Sequence, residues 1–246
     1  MKPNSKRILL WLYNCGENFR RDDYSHIAYL VPNLSYEGRR SLLNILRLKK
    51  YINVEKFGNK KYISLTSFGQ DYVEKNFLFL NKQRQKWRGK WLMIIMISSN
   101  GNKSIFKGLR TSLMRIGCIS LERGIYMYPG DFDYALENIV KKKFKSSIII
   151  LSLENWVFGD ERLFIINKFN LINLLNDYSE ISKEIDKLLI KTKNKEKLND
   201  RHLKRIFALY SQLFSLFGDD LGFLSYYFSD NYDGLKMLKL VQSLII

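Results

Sequence analysis

Apolar residues in the first third of the chain recur at helical spacing in three short stretches. A first helix is predicted over residues 6–13, and a second, shorter one is capped by Asp22 or Asp23. Pro32 ends the second helix, because a proline disfavours helical backbone at the residue before it. A third helix is predicted over residues 35–49, where the first residue is a serine suited to an N-cap. Two short helices joined by a tight turn, the second of them basic, are typical of a helix-turn-helix.

Two stretches of alternating apolar and polar residues follow the third helix. They predict strands over residues 51–56 and 60–65, joined by the tip Phe57-Gly58-Asn59. Lysines flank the tip, and Thr66 is placed to cap a further helix. A helix-turn-helix that is followed by a basic hairpin and another helix predicts a winged helix, here over residues 1–80.

The pattern changes after a polar, basic stretch at residues 81–90, which is typical of a linker. Beyond it the chain predicts a βαββαβ order, that of a ferredoxin-like domain over residues 91–155. Its predicted elements are strands 91–97, 118–121, 125–128 and 148–153, a helix over about 102–116 and a helix begun by Asp131. Residues 156–246 have apolar positions at helical spacing, over 171–189 and 203–217, and predict a helical region. The predicted fold class is therefore α+β, with three structural units.

Charge is distributed unevenly along the 246 residues. The formal net charge is +17, and residues 1–90 hold 19 Lys and Arg against 7 Asp and Glu. A surplus of this size indicates a polyanionic partner, and its location in the predicted winged helix favours nucleic acid. A coding bias toward Ile, Asn and Lys explains a high total but not its concentration in one third of the chain. The apolar fraction of 46% is ample for buried cores.

The third predicted helix carries the residues best placed to read a DNA sequence. Its buried stripe is either Leu42, Ile45 and Leu46, or Leu42, Leu43 and Leu46. Under both choices the same three side chains face solvent, namely Tyr36, Arg40 and Asn44. Because Arg recognises guanine and Asn recognises adenine in the major groove, these three are predicted to contact base edges.

Polar and basic residues around that helix and the hairpin are predicted to contact phosphates. They are Arg20, Arg21, Ser35, Arg39, Arg47, Lys56, Asn59, Lys60 and Lys61. Phosphate contacts set the affinity and its dependence on salt, but they carry no sequence code. The alternative for any single lysine is an ordinary solvated surface charge.

Several short motifs, by their order and spacing, resemble the PaaX family, which is named for the repressor of phenylacetate catabolism. They are Trp87-Arg88-Gly89-Lys90-Trp91, the strand and helix that lead to Gly117, Gly124-Ile125-Tyr126-Met127-Tyr128-Pro129, the opening Phe169-Asn170-Leu171 that leads to Tyr178, and Asn231-Tyr232-Asp233-Gly234. The resemblance covers nearly the whole chain. It implies a homodimeric repressor that binds a palindromic operator and releases DNA on binding an aryl acyl-coenzyme A.

The resemblance extends in part to the predicted recognition helix. Arg40 lies where the family's helix also tends to carry arginine. Arg39 and Ile45 depart from the family, in which small apolar and basic residues are more usual there, so the resemblance does not imply an operator sequence. We expect dimerisation through the ferredoxin-like domain and an effector site beside the C-terminal helices, to which no residue is assigned.

The central domain is also similar to small CRISPR-associated nucleases of ferredoxin-like fold, which hold a catalytic divalent metal with an aspartate near the end of the first strand. Here that strand ends in Met96-Ile97-Ser98-Ser99-Asn100, without the carboxylate that a hard cation prefers. His26 and His202 each lie beside apolar neighbours, and Cys15 and Cys118 have no CxxC partner. We therefore expect no enzymatic activity, no metal and no cofactor.

The sequence thus predicts a sequence-specific transcriptional regulator, a repressor, whose partners are double-stranded DNA, a second copy of the chain and a small-molecule effector. Two alternatives stay open: a metal-dependent nuclease built on the ferredoxin-like domain, and a nucleic-acid-binding protein without sequence preference. The basic N-terminus precedes only six apolar residues, 8–13, too few for a signal peptide or a membrane span. We expect a cytoplasmic protein with no membrane partner.

Overall fold

The computed structural model describes residues 1–15, 20–97, 103–140, 147–193, 199–228 and 233–245. They form a mixed α+β fold with two antiparallel sheets, one of three strands and one of four. The sequence motifs at Ser98–Asn100 and at Asn231-Tyr232 lie outside the described residues.

The N-terminal part combines helices with a small sheet. Its elements are α1 Pro3–Trp11, β1 Asp22–Asp23, α2 Ile27–Leu30, α3 Tyr36–Leu48, β2 Ile52–Phe57, β3 Lys60–Leu65 and α4 Ser67–Asn76. The strand order is β1-β3-β2, with antiparallel pairing throughout. A 3-10 turn at Tyr24–His26 connects β1 to α2.

Side-chain caps fix where the helices of this part begin. Ser35 Oγ accepts a hydrogen bond of 3.1 Å from a backbone N–H in the first turn of α3, and Thr66 Oγ1 accepts one of 3.0 Å at the start of α4. Both predicted caps are confirmed. Of the two candidate aspartates, Asp23 caps the turn before α2 with a hydrogen bond of 2.8 Å, whereas Asp22 is buried.

The strands β2 and β3 form the predicted hairpin. Phe57 pairs with Lys60, so that Gly58 and Asn59 are the two residues of the connection. Gly58 has a φ of 58°, a value that glycine adopts without the steric cost of a side chain. The tight tip holds the lysines of both strands close to one another.

The central part has the βαββαβ order predicted for it. Its elements are β4 Trp91–Met96, α6 Lys103–Arg115, β5 Ile119–Glu122, β6 Ile125–Pro129, α7 Tyr134–Val140 and β7 Ile148–Leu153. The strand order β5-β6-β4-β7 with antiparallel neighbours is that of a ferredoxin-like fold. The helix α7 begins later than predicted, because Asp133 and not Asp131 accepts the capping hydrogen bond, from Leu136 N–H at 2.9 Å.

The stretch at residues 81–90 differs from the solvated linker that its composition predicts. It contains the short helix α5 Lys82–Gln85 and two buried side chains, Arg84 and Trp87. Arg84 Nη2 donates a hydrogen bond of 2.6 Å to the carbonyl of Gly117. The stretch is therefore packed between the parts of the chain that it joins.

The C-terminal part is helical, as predicted, and packs directly on the N-terminal part. Its elements are α8 Glu161–Lys168, α9 Leu171–Lys193, α10 Asp200–Leu216, α11 Leu224–Tyr227 and α12 Gly234–Ser243. The Phe207 ring of α10 stacks on Tyr29 of α2 with centroids 5.5 Å apart. Gln242 of α12 donates hydrogen bonds to the carbonyls of Trp11 (2.8 Å) and Tyr13 (3.0 Å). One hydrophobic core therefore runs through both ends of the chain.

A second core lies between the central sheet and its two helices. It is formed by residues such as Ile94 of β4, Leu113 of α6 and Leu136 of α7. None of the helices in the described part of the chain has the length and apolar character needed to cross a membrane.

Candidate nucleic-acid interface

A groove of about 770 Å³ lies between helix α3 and the β2–β3 hairpin. It is lined by Tyr24, Tyr36, Glu37, Arg40, Ser41, Leu43, Asn44, Arg47, Val54, Glu55, Lys56 and Lys61. Six of these residues are among those predicted to contact DNA. The groove therefore brings together the helix and the hairpin that were identified separately in the sequence.

The face of α3 that lines the groove is set by which leucines are buried. Leu43 and Leu46 are buried, whereas Ile45 is 46% exposed. The structure therefore matches the second of the two predicted stripes, the one that contains Leu43 in place of Ile45. Because residues four apart lie above one another on a helix, Tyr36, Arg40 and Asn44 share one exposed face, and Tyr36 is 64% exposed.

Hydrogen bonds on this face arrange the polar side chains of α3. Arg47 Nη2 donates a hydrogen bond of 3.3 Å to Asn44 Oδ1. The Arg47 guanidinium therefore lies beside the side-chain amide of Asn44, which is itself one helical turn from Arg40. Ser35, at the start of the helix, uses its oxygen as the N-cap acceptor. Because a hydroxyl is both donor and acceptor, Ser35 can in addition donate its proton to a ligand.

The hairpin contributes a pair of lysines to the groove. Lys56 and Lys61 are directly opposite each other across β2 and β3, and both line it. Like charges in that position destabilise a hairpin, and an anion bound between them would offset the repulsion. Asn59 and Lys60 are exposed at the tip, beyond the groove itself.

The groove carries both signs of charge, with the basic side chains in excess. Its acidic members are Glu37 and Glu55, against four Arg and Lys. Glu55 forms an ion pair of 3.3 Å with Arg21, whose guanidinium also lies 4.9 Å from the ring of Phe57. Arg21 therefore sits against the outer part of the hairpin and partly neutralises the nearby carboxylate.

Two arginines predicted to contact phosphate are placed elsewhere. The Arg20 guanidinium lies 4.9 Å from the Trp11 ring, and its Nε is buried without a hydrogen-bond partner among the described residues. Burial lowers the pKa of Arg20, with nearby Asp22 opposing the shift. Arg39 Nη1 donates a hydrogen bond of 2.8 Å to the carbonyl of Leu34, across the turn before α3. Both side chains stabilise the fold around the groove and do not line it.

Tyr24 also lines the groove, although the sequence pattern places it, with Ile27 and Leu30, only among the apolar positions of the second predicted helix. Its half-buried ring lies at the groove, with the Lys61 ammonium 5.7 Å from the ring centroid. Its neighbours come from α3 and the hairpin, so its place in the groove depends on tertiary structure. The sequence nevertheless contains a hint, since Tyr24 carries a polar hydroxyl at its end whereas Ile27 and Leu30 are wholly apolar.

The remaining candidate chemistry lies outside the groove. Burial raises the pKa of both cysteine thiols, Cys15 and Cys118, to about 12, which disfavours the nucleophilic thiolate at neutral pH. His26 Nδ1 lies 2.7 Å from Asp22 Oδ1, and His202 takes part in the N-terminal capping box of α10. Within the ranges that the structure describes, His, Cys, Asp and Glu form no group able to hold a metal ion.

Comparison with known proteins identifies the central part of the chain. Residues 84–163 match the family model described as the PaaX protein central Cas2-like domain, a stretch that begins within α5 and ends within α8. Among solved structures, the chain is similar to the uncharacterized protein Rv0674 from Mycobacterium tuberculosis, with 14% sequence identity, 97% of each chain covered and a TM-score of 0.43. No curated protein matches the chain. The resemblance to the PaaX family that the sequence indicates is thus confirmed, through its central Cas2-like domain.

Proposed function

We propose that this chain is a sequence-specific, double-stranded-DNA-binding transcriptional regulator that uses its first eighty residues as a winged helix. The observation that carries the proposal is the groove in which the exposed face of α3 and the lysines of the hairpin meet. A helix with exposed Arg and Asn side chains suits the major groove, and a basic hairpin beside it suits the adjacent phosphate backbone. The match of residues 84–163 to a PaaX domain supports regulation of transcription.

In this proposal α3 is the recognition helix. Tyr36, Arg40 and Asn44 contact base edges, with the Arg40 guanidinium donating to the O6 and N7 acceptors of a guanine and the Asn44 amide pairing with adenine. Arg40 and Asn44 are one helical turn apart, which lets them address neighbouring base pairs. These contacts supply the specificity.

Phosphate contacts in this proposal come from residues around the groove with accessible donors. They are Arg21, Ser35, Arg47, Lys56, Asn59, Lys60 and Lys61. Arg20 and Arg39 are assigned to the structural contacts described above and not to phosphate. The phosphate contacts supply affinity and fix the register of α3 on the duplex.

The proposal also includes features that rest on the resemblance to the PaaX family. The regulator is a homodimer on a palindromic operator, it represses transcription, and an acyl-coenzyme A-like effector releases it from DNA. A palindrome follows from the two-fold symmetry of a dimer with one recognition helix in each subunit. No catalytic step is assigned to the chain.

Replacement of Arg40 by alanine tests the proposed base readout. On a duplex selected by the wild-type protein from a random pool, Arg40→Ala is expected to weaken binding about 5- to 150-fold, because a bidentate Arg–guanine contact is worth about 1–3 kcal/mol. Repeating the selection with the variant should show a relaxed preference at one position in each half-site.

Arg110→Ala is the matched control, since Arg110 is an exposed arginine on α6 that does not line the groove and is distant from it in the sequence. It removes the same charge and should leave both the affinity and the selected site unchanged. Equal affinities of Arg40→Ala and the wild type, with the same selected site, would contradict the proposal.

The two groove lysines are expected to act through charge alone. Lys56→Ala combined with Lys61→Ala should weaken binding to all duplexes by a similar factor. It should also lower the slope of log K against log salt by about 2, since each phosphate contact contributes about 0.9. Fluorescence anisotropy at several salt concentrations measures both quantities. A changed sequence preference with an unchanged slope would contradict the assignment of these lysines to phosphates.

A further inference from the structure

Tyr24 is held in place from both sides by the backbone around it. The residue before it, Asp23, belongs to β1 and pairs with Tyr62 of β3. Asp23 also accepts hydrogen bonds of 2.8 Å from the backbone N–H and the hydroxyl of Ser25, which closes the 3-10 turn that Tyr24 begins. The Tyr24 backbone is therefore fixed to the hairpin on one side and to the start of α2 on the other.

The side chain of Tyr24 lies where the two DNA-contacting elements meet. It lines the groove together with Tyr36 and Arg40 of α3, and Lys61 of the hairpin lies over its ring at 5.7 Å. A cation at this distance from a tyrosine ring is attracted to it. The ring thus restrains the Lys61 ammonium at the wall of the groove.

The hydroxyl of Tyr24 is a donor at neutral pH. Burial raises the pKa of Tyr24, the Tyr36 side chain acts in the same direction, and Arg40 opposes both. The phenol therefore keeps its proton in the presence of a polyanion, and a phosphate oxygen is the acceptor that a groove with surplus basic side chains attracts.

We propose that Tyr24 is a further DNA-contacting residue, whose hydroxyl donates a hydrogen bond to the phosphate that passes between α3 and the hairpin while its ring holds Lys61 toward the same strand. This inference rests on the proposed function. It places Tyr24 where the base-reading helix α3 meets the phosphate-contacting hairpin. Neither the sequence pattern nor the family resemblance gives Tyr24 this role.

Two substitutions separate the hydroxyl from the ring. Tyr24→Phe removes the donor and keeps the ring, and it is expected to weaken binding to the selected duplex about tenfold, without changing the selected site or the salt slope. Tyr24→Leu also removes the ring, so it should weaken binding further and lower the salt slope by about one, because Lys61 is no longer restrained.

Tyr62→Phe is the matched control. Tyr62 follows Lys61 on β3 and its side chain therefore points to the other face of the hairpin, where its ring contacts Phe57 at 6.0 Å. This variant should bind as the wild type does. Thermal unfolding of Tyr24→Phe should match that of the wild type, since the packed ring is unchanged.

The outcomes distinguish this inference from the proposed function. One outcome is that the wild type selects a site, Arg40→Ala binds that site more weakly, and Tyr24→Phe binds it with wild-type affinity. This outcome overturns the Tyr24 contact and leaves the proposed function supported. If the wild type selects no site and Arg40→Ala changes nothing, the proposed function fails first. A tenfold loss in Tyr24→Phe with Tyr62→Phe unaffected supports the contact.

Discussion

Replacement of Trp11 by alanine is expected to lower the free energy of unfolding of the whole chain by about 3–5 kcal/mol, the range for a large aromatic residue removed from a core. Trp11 ends helix α1 and is fully buried. Its ring lies 4.9 Å from Phe207 and 4.8 Å from Tyr210, both on α10. The substitution therefore leaves a cavity between the N-terminal and the C-terminal parts, and surrounding side chains can close it only in part.

The polar contacts of Trp11 add to that loss. Its indole Nε1 donates a hydrogen bond to the buried carboxylate of Asp22. In the alanine variant Asp22 Oδ1 still contacts His26, but the buried Oδ2 loses the hydrogen bond from the indole. Because Asp22 lies in β1, which pairs with the hairpin, the loss is expected to reach the elements that line the groove.

Urea unfolding followed by circular dichroism measures the effect. Trp156→Ala is the matched control, because Trp156 is 38% exposed and its only aromatic contact among the described residues is Phe164, at 5.9 Å. Its loss should cost about 1 kcal/mol or less. Similar free energies of unfolding for the two variants would contradict the view that α1 and α10 share one core.

Much of the groove could be predicted because its signals are local. The helix α3 has a serine cap, an apolar stripe and an exposed polar face within fifteen residues, and the hairpin has alternation around a glycine turn. Each of these signals depends on residues close in sequence. Both ends of strand β7, Ile148–Leu153, match the prediction. A compact apolar run in the sequence defines them, which is again a local signal.

Other features depend on partners distant in sequence and left no local signal. Arg84 lies in a basic, polar stretch that predicts a solvated linker, yet it is buried, with its guanidinium 5.3 Å from the ring of Phe223. The charge of Arg20 predicts a phosphate contact, whereas the structure places its guanidinium against Trp11. The strand β1 has two residues, too few for an alternation pattern. In each case the surroundings of the residue depend on a side chain or strand outside its own helix or strand pattern, so a local pattern does not reveal them.

Replacement of Asp220 by alanine is expected to lower the free energy of unfolding by about 3 kcal/mol or more in mildly acidic solution, because it leaves several buried donors without an acceptor. The buried Asp220 carboxyl accepts hydrogen bonds from the N–H groups of Gly222 (2.8 Å) and Gly234 (3.1 Å) and from the Tyr178 hydroxyl (3.1 Å). These bonds join α9, the segment between α10 and α11, and the start of α12. Asp131→Ala, which removes an exposed carboxylate facing Lys90 at 3.4 Å, should change the stability little.

The effect of Asp220→Ala is also expected to depend on pH, with a sign set by burial. Burial raises the pKa of Asp220 to about 6, whereas the hydrogen bonds from Gly222 and Tyr178 oppose the shift. The folded protein therefore binds this proton more tightly than the unfolded chain, whose carboxyl has a pKa near 3.9. The stability that protonated Asp220 contributes is present in full below about pH 4 and is lost as the pH rises through about 6.

The difference in unfolding free energy between the wild type and Asp220→Ala should accordingly be larger at pH 4.5 than at pH 7.5. A difference that grows with pH would show that the hydrogen bonds, and not burial, dominate the pKa of this carboxyl.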